Sequence, residues 1–277
     1  MSASPYTFDA QDADVILRAP LQLGSEEFKD FHAHKVILSI ASTLFHDMFS
    51  IPQPPRHTSE NTTLEIVHVS ESADALETFL RFIYPIDPPV VEDLRLLDDL
   101  LQLADKYMAK TVTTRLKKLL ILPSFLEDDP IRVYAIARRA NLNDEAELAI
   151  THSFKIDPVR DIHPAYLQIM TAEAYNSLLM SHATRRSGLI SALGQARIPP
   201  LGVNACHCSN WFYYRLRQKI TIAIWESPFL DKSRLDSCLN STGADKSTCG
   251  LGSSCRVSTQ AISKYLTDIL NEVGKLG

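Results

Sequence analysis

The segment from Asp12 to Phe49 constrains the fold of this 277-residue chain more than any other stretch. A short apolar run begins at Val15, and a turn-forming stretch follows around Gly24. A second extended run, 28–34, leads directly into apolar residues with helical spacing. Ser42 is a suitable N-cap for a second helix. The segment therefore predicts a β-hairpin followed by two short helices.

Further elements are predicted downstream in the same order of strand and then helix. Residues 64–69 alternate well enough for a third strand, and a helix is expected to start within 70–74. Residues 94–122 form the longest region with helical apolar spacing. Six of them are expected to lie on one helical stripe: Leu97, Leu100, Leu101, Ala104, Tyr107 and Met108. In the first helix, three residues are expected to face inward: Val36, Ile37 and Ile40.

The pair Leu122-Pro123 is the predicted domain junction, because proline ends a helix that precedes it. Beyond it the apolar residues recur at helical spacing in most segments, which predicts an all-helical domain over 123–277. A Ser-, Gly- and Thr-rich stretch at 240–256 predicts a flexible loop within that domain. Residues 1–11 are expected to be disordered.

Composition excludes several function classes. The formal net charge of −5 argues against a general nucleic-acid binder, since phosphate binding needs a basic surface. No stretch approaches the apolar length of a membrane span. The first residues lack the basic start and apolar core of a secretory signal, so an intracellular chain is expected, in the cytoplasm, the nucleus or both. The sequence carries no nucleophile elbow, phosphate loop or zincin motif, and we predict no enzyme.

The hairpin-helix-helix opening resembles the BTB/POZ family in its specific residues as well as in its order. The similarity lies in Ala13-Asp14-Val15, in the segment 31–38 (FHAHKVIL) and in Ser42-Thr43-Leu44-Phe45. It returns in 80–84 (LRFIY) and in 103–107 (LADKY), and it covers roughly residues 12–122. The resemblance implies an α+β fold, with a short β-sheet flanked by helices, and a protein–protein interaction role. The helical remainder resembles a BACK-type extension by position and periodicity, as in BTB proteins abundant in fungi.

The resemblance also implies where partners bind. In the family, an acidic residue before the first strand and a basic residue after the histidine lie together near the dimer groove, and here these are Asp14 and Lys35. Such a pair would form a charge-assisted hydrogen bond. Ile16, Val36 and Ile40 would line the apolar surface of a homodimer. His34 corresponds to the structural histidine of the family.

Two features of the C-terminal half leave an alternative open. Five cysteines, Cys206, Cys208, Cys238, Cys249 and Cys255, include enough thiolates to bind zinc, although their spacing departs from common site patterns and free thiols are the simpler interpretation. The aromatic run beginning at Trp211 lies beside Arg215 and Arg217, a combination that can stack nucleic-acid bases or can form a helix core with a basic outer face.

The sequence thus predicts an adaptor that forms a homodimer and recruits other proteins. Neither membrane binding nor a cofactor is expected. A cullin-type ubiquitin ligase is a further partner that the resemblance implies, but the family's cullin-binding motif is replaced by Pro52-Gln53 after the second helix. The alternative is a zinc-stabilised C-terminal module with a nucleic-acid-binding or regulatory role.

Overall fold

The computed structural model describes residues 7–22, 24–51, 64–198, 207–242 and 259–276. Within α11 and α13 (His207–Glu226 and Thr259–Gly274), the side chains of 207–210 and 259 are not described. The chain divides into two compact units, residues 1–149 and 150–277. No helix among the described residues has the length and apolar character needed to cross a membrane.

A three-stranded sheet forms the first half of unit 1. Its strands are β1 (Val15–Pro20), β2 (Phe28–Ala33) and β3 (Glu65–His68), in the order β2-β1-β3. The predicted hairpin is confirmed, with β1 antiparallel to β2 and Val15 opposite Ala33. Gly24 supplies a left-handed residue, φ 83°, in the turn between them. β3 adds parallel to β1, with Ile16 beside Ile66.

Helices cover the sheet and complete unit 1. Ser42 accepts a hydrogen bond from the Phe45 backbone N–H and caps the second helix as predicted. Ser72, Asp93 and Asp129 cap later helices in the same way. The helices are α1 (Lys35–Ala41), α2 (Thr43–Ser50), α3 (Ala73–Ile83), α4 (Leu94–Lys106), α5 (Lys110–Leu120), α6 (Pro123–Asp128), α7 (Pro130–Arg139) and α8 (Asn143–Ser153), the last of which contains the division between the units.

The stripe predicted from Leu97 to Met108 ends one residue early in the structure. Met108 adopts a left-handed conformation, φ 52°, after the C-cap Tyr107, and this separates α4 from α5. Tyr107 is buried with the rest of the stripe, whereas Met108 is exposed. The prediction was wrong at Met108 because a left-handed residue turns the next helix in a new direction.

Two other expectations for unit 1 are corrected. Val36 and Ile40 do not face inward, because Leu38 on the other side of α1 occupies the core. Residues 7–11 are described, although disorder was expected for 1–11. Phe8 is buried there, with its ring centroid 5.1 Å from that of Tyr84 and 5.9 Å from that of Phe31. Apolar burial of this one ring holds the segment against the sheet. Residues 1–6 lie outside the described part.

The secondary-structure elements of unit 2 in its described residues are all helices, joined by turns and irregular segments. Its apolar core combines one face each of the long helices α10, α11 and α13 with residues of α12, among them Leu189, Leu216, Ile220, Tyr265 and Ile269. Leu266, Ile269 and Val273 of α13 are buried in it, and Ile262 packs against it partly buried. The helices are α9 (Pro164–Ile169), α10 (Ala172–Gln195), α11 (His207–Glu226), α12 (Lys232–Thr242) and α13 (Thr259–Gly274).

The sequence did not predict α6 or α12. Pro123 was taken as the end of a helix, but it occupies the first turn of α6, where a missing N–H has no consequence. Residues 240–242 of the flexible loop predicted for 240–256 belong instead to α12, where Thr242 is buried. Residues 243–256 lie outside the described part. The predicted junction at 122–123 stays a prediction.

Candidate protein-interaction surface

The start of α1 is fixed by side chains from two other parts of unit 1. Asp14 Oδ1 accepts a hydrogen bond from the Lys35 backbone N–H, 2.7 Å away. The His34 backbone N–H donates to Tyr84 Oη at 2.9 Å, and the His34 Nδ1 lies 3.1 Å from the same oxygen. His34 is therefore a structural residue as predicted, and α1 is anchored at the end that adjoins β1.

Asp14 and Lys35 meet, but not as the predicted pair of charged side chains. Asp14 binds the first N–H of α1, where a carboxylate is also favoured by the helix dipole. The Lys35 ammonium instead pairs with Glu65 on β3, with 2.6 Å between Nζ and Oε2. It also lies 5.4 Å from the centre of the Phe49 ring. Lys35 thus joins α1 to β3 and α2, which is a different role from the one expected.

The outer face of α1 is apolar and open to solvent. Val36 and Ile40 are four residues apart, hence on one side of the helix, and they are 62% and 82% exposed. Ile16 is half-buried on β1, and its neighbour Ile66 on β3 is exposed. We call Val36 and Ile40 the α1 face. Ile16 lies on a different element, β1, so of the three predicted apolar residues only Val36 and Ile40 share a helix face.

A groove of about 270 Å³ borders the α1 face at its C-terminal end. Met108 is part of its wall and is half exposed. The sequence pattern assigned Met108 to the buried stripe, and a left-handed residue in a helix connection leaves no signal that would have corrected this. The other lining residues are Ser39, Ile40, Ala41, Thr43, His46, Lys110 and Thr111.

Hydrogen bonds beneath this groove hold α2 against the end of α4. The buried Ser42 hydroxyl donates to the Tyr107 carbonyl at 2.5 Å while it caps α2. Tyr107 Oη donates to Glu71 at 2.7 Å, and Lys106 pairs with the same carboxylate. Burial raises the pKa of Glu71, but the bonds from Lys106 and Tyr107 outweigh it and the pKa is lowered overall. Burial and the bond to Glu71 raise the pKa of Tyr107, so the phenol stays protonated.

A serine–histidine pair in unit 2 has no access to a substrate. Ser153 Oγ lies 2.9 Å from His182 Nε2, and both residues are buried. The Ser153 hydroxyl donates its proton to the Ile150 carbonyl, so the imidazole must donate from Nε2. Burial, reinforced by nearby Arg186, lowers the pKa of His182 to about 4. The pair is a neutral packing contact.

Most of the cysteines on which the zinc alternative depends lie outside the described residues. Cys238 is buried with a free thiol, and burial raises its pKa, which disfavours the thiolate that zinc requires. Cys206, Cys249 and Cys255 lie outside the described part, and the side chain of Cys208 is not described. In the described ranges, no three His, Cys, Asp or Glu side chains are grouped as metal ligands.

The fold of unit 1 is that of an interaction domain. A family model for the BTB/POZ domain matches residues 13–123. Residues 13–123 therefore carry a BTB/POZ domain, about two fifths of the chain, and a helical C-terminal region follows it. The BTB/POZ domain mediates protein–protein interactions and is not typically catalytic.

Proposed function

We propose that this protein is an adaptor that forms a homodimer through the α1 face of its BTB/POZ domain and recruits another protein. The observation that carries the proposal is the exposure of Val36 and Ile40 on one side of a helix whose other side is fixed in the core by Leu38. Exposed apolar side chains that share a face are typical of interaction sites rather than of random surface.

Several contacts support a preorganised surface at this position. Asp14, His34 and Lys35 fix the first turn of α1 through bonds to other elements. Because the helix is held in place before a partner binds, little ordering entropy is lost on association. Stable dimers bury on the order of 1,600 Å², so the α1 face would be the centre of a larger interface. Ile16 on β1 is our candidate for a further part of it.

The sharpest test replaces one apolar side chain without disturbing the core. Ile40→Asp places a charge on the α1 face and should convert the dimer to monomer in light scattering after size exclusion. Val90→Asp is the matched control, because Val90 is also 82% exposed in unit 1 and lies outside every described helix and strand. Loss of the dimer in both variants, or in neither, would contradict the proposal.

Lys35→Glu is a second test with a different physical basis. The new carboxylate would face Glu65 and lie near Asp14, so repulsion should act on both the fold and the dimer. We expect a lower melting temperature together with a shift towards monomer or aggregate. This variant alone cannot separate the two effects, which is why Ile40→Asp takes precedence.

A cullin-type ligase is a narrower candidate partner that the proposal does not require. The only support for a cullin as partner is the BTB/POZ fold. After α2 the sequence has Pro52-Gln53 at the position of the family's cullin-binding motif. Residues 52–63 lie outside the described part. Co-purification of a cullin with the wild-type chain, and its loss on Ile51→Asp at the exposed end of α2, would support it.

A further inference from the structure

Helix α11 has a second apolar face besides the one it buries. Its core face contributes Tyr213, Leu216 and Ile220 to unit 2. Its outer face has side chains at the spacing of 3, 4, 4 and 3 residues that follows one line along a helix. We call this line the α11 stripe: Trp211, Tyr214, Gln218, Ile222 and Trp225. Its four apolar or aromatic members are between 54% and 61% exposed.

The α11 stripe is flanked by cations. Arg215 lies 4.5 Å from the ring centre of Trp211, and Arg186 of α10 lies 5.2 Å from that of Trp225. Lys219 is exposed between them. Over residues 211–226 the sequence has three basic residues and a single acidic one, Glu226. The α11 stripe therefore has positively charged side chains beside it along its length.

A shallow groove runs beside the middle of the stripe. It holds about 440 Å³ and is lined by Tyr214, Arg217, Gln218, Thr221 and Ile222. The distance from Trp211 to Trp225 is 14 residues, or about 21 Å along a helix. This is about the length of four helical turns of a bound segment.

We propose that the α11 stripe binds an amphipathic helix of a partner protein that carries carboxylates beside its own apolar side chains. The apolar line of the partner packs along the stripe, as in other helix-in-groove complexes. The carboxylates of the partner pair with Arg215 and Lys219, and Arg186 serves the same purpose at the other end. This surface belongs to unit 2 and does not depend on the proposed dimer of the BTB/POZ domain.

Charge argues against a second copy of this chain as the occupant. The stripe is symmetric about Gln218, so two copies could pair antiparallel with Trp211 opposite Trp225. That arrangement places Arg215 and Lys219 of both copies on the same side of the helix pair. Four cations would then lie together with no acidic residue opposite them, and like charges across an interface oppose association.

The surface also fits a protein better than a nucleic acid. Stacking of bases needs open aromatic faces, but a guanidinium already lies over each of the two tryptophans. Gln218 and Ile222, which lie between Tyr214 and Trp225, offer no aromatic platform for a base. The chain as a whole carries a net charge of −5, which gives no wider basic surface for a phosphate backbone.

The test uses designed helical peptides and the full-length chain. One peptide, about four turns long, has leucines on one face and glutamates beside them, and its matched partner has lysines instead of the glutamates. The chain has two tryptophans, and both belong to the stripe, so their fluorescence reports binding directly. We expect the glutamate peptide to bind at least tenfold more tightly than the lysine peptide.

Variants separate the stripe from the rest of the surface. The double variant with Trp211→Ala and Trp225→Ala should bind a fluorescein-labelled glutamate peptide at least tenfold more weakly, as measured by fluorescence polarisation. Met180→Ala on α10 is the control, since Met180 is 58% exposed and lies outside the stripe. The pair Arg215→Glu and Lys219→Glu should reverse the preference between the two peptides. Circular dichroism checks that each variant is folded.

Four outcomes would overturn the proposal. They are equal binding of the two peptides, equal loss in Met180→Ala, binding of single-stranded oligothymidine in preference to either peptide, and a self-association that is lost in the double tryptophan variant. The last result would identify a second copy as the occupant. Because Ile40→Asp acts on the other unit, it should leave peptide binding unchanged, so the two proposals can fail separately.

Discussion

The buried tyrosine hydroxyls Tyr107 of unit 1 and Tyr213 and Tyr265 of unit 2 differ in their hydrogen bonding. In unit 1 the hydroxyls of Ser42 and Tyr107 are both hydrogen-bonded across elements. In unit 2 the hydroxyls of Tyr213 and Tyr265 and the Nδ1 of His182 are buried without a hydrogen-bond partner among the described residues. A bonded polar group specifies one arrangement of its neighbours, whereas an unbonded one only lowers stability.

This difference explains why one unit was recognisable from its sequence. The residues of unit 1 that carry the family resemblance include those that make the polar links, such as Asp14, His34, Ser42 and Tyr107. Unit 2 is built from apolar packing of helices, and many sequences satisfy such packing. Its helices were predictable from periodicity, but no residue in it pointed to a family.

The largest expected effect concerns the extent of unit 1. A fragment 1–122 should fold, but it lacks α7, of which seven of ten residues are buried, and it leaves buried Asp98 without Arg139. Each large buried side chain that is lost lowers the free energy of unfolding by about 1.5–3 kcal/mol. We expect the free energy of unfolding, measured in urea, to be several kcal/mol larger for fragment 1–149 than for fragment 1–122.

Two results would revise this account. If 1–122 is unfolded by circular dichroism, the predicted junction at Leu122-Pro123 is not a domain boundary. Equal stability of the two fragments would mean that α6 and α7 contribute nothing to unit 1, despite their burial.

Acid should lower the free energy of unfolding of unit 2, and we expect this effect to be smaller than the difference between the two fragments. His182 has a pKa of about 4 in the folded chain and 6.5 as the ordinary value for an unfolded one. The unfolded chain binds a proton first as the pH falls, so the stability is intact above pH 6.5 and is lost progressively down to about pH 4. The loss should be about 2 kcal/mol at pH 5 and about 3 kcal/mol at pH 4.

Tryptophan fluorescence isolates this effect, since both tryptophans are in unit 2. Urea unfolding at pH 7 and pH 5 gives the difference for wild type, and His182→Gln should abolish most of it. A wild-type stability that is unchanged at pH 5, or a loss that persists in His182→Gln, would assign the acid sensitivity to another group.

A matched pair of tyrosine variants tests the comparison at the smallest scale. Tyr107→Phe removes a bonded hydroxyl and leaves Glu71 with one donor fewer, so it should cost about 1–2 kcal/mol. Tyr265→Phe removes an unpartnered hydroxyl and should be neutral or stabilising by up to about 1 kcal/mol. Calorimetry of the full-length variants gives both values. Equal destabilisation by the two changes would show that Tyr265 has a partner.

The sequence predicted the elements better than it predicted their faces. Helix α1 carries apolar residues on both sides, and periodicity alone does not tell which side packs, so Val36 and Ile40 were assigned inward. Helix α11 has four consecutive aromatic residues beginning at Trp211, which cover its whole circumference. In both helices the apolar residues exceed what one face can bury. The surplus indicates a second surface, but only tertiary packing decides which residues form it.

The contacts of the candidate site were also predictable only in part. The resemblance placed Asp14 beside Lys35, and the two residues meet, but through the Lys35 backbone N–H and not as a pair of charged side chains. The partner of the Lys35 ammonium was missed, since Glu65 is 30 residues away and reaches it only through the parallel pairing of β3 with β1. Contacts between distant strands depend on register, which no local pattern specifies.

The most direct measurement is the mass of the wild-type chain by sedimentation equilibrium at tens of micromolar, compared with that of Ile40→Asp. The account predicts twice the 31.0-kDa chain mass for wild type and a single chain mass for the variant. A wild-type chain that sediments as a monomer at this concentration would contradict it, and the protein would then be an adaptor that acts without self-association.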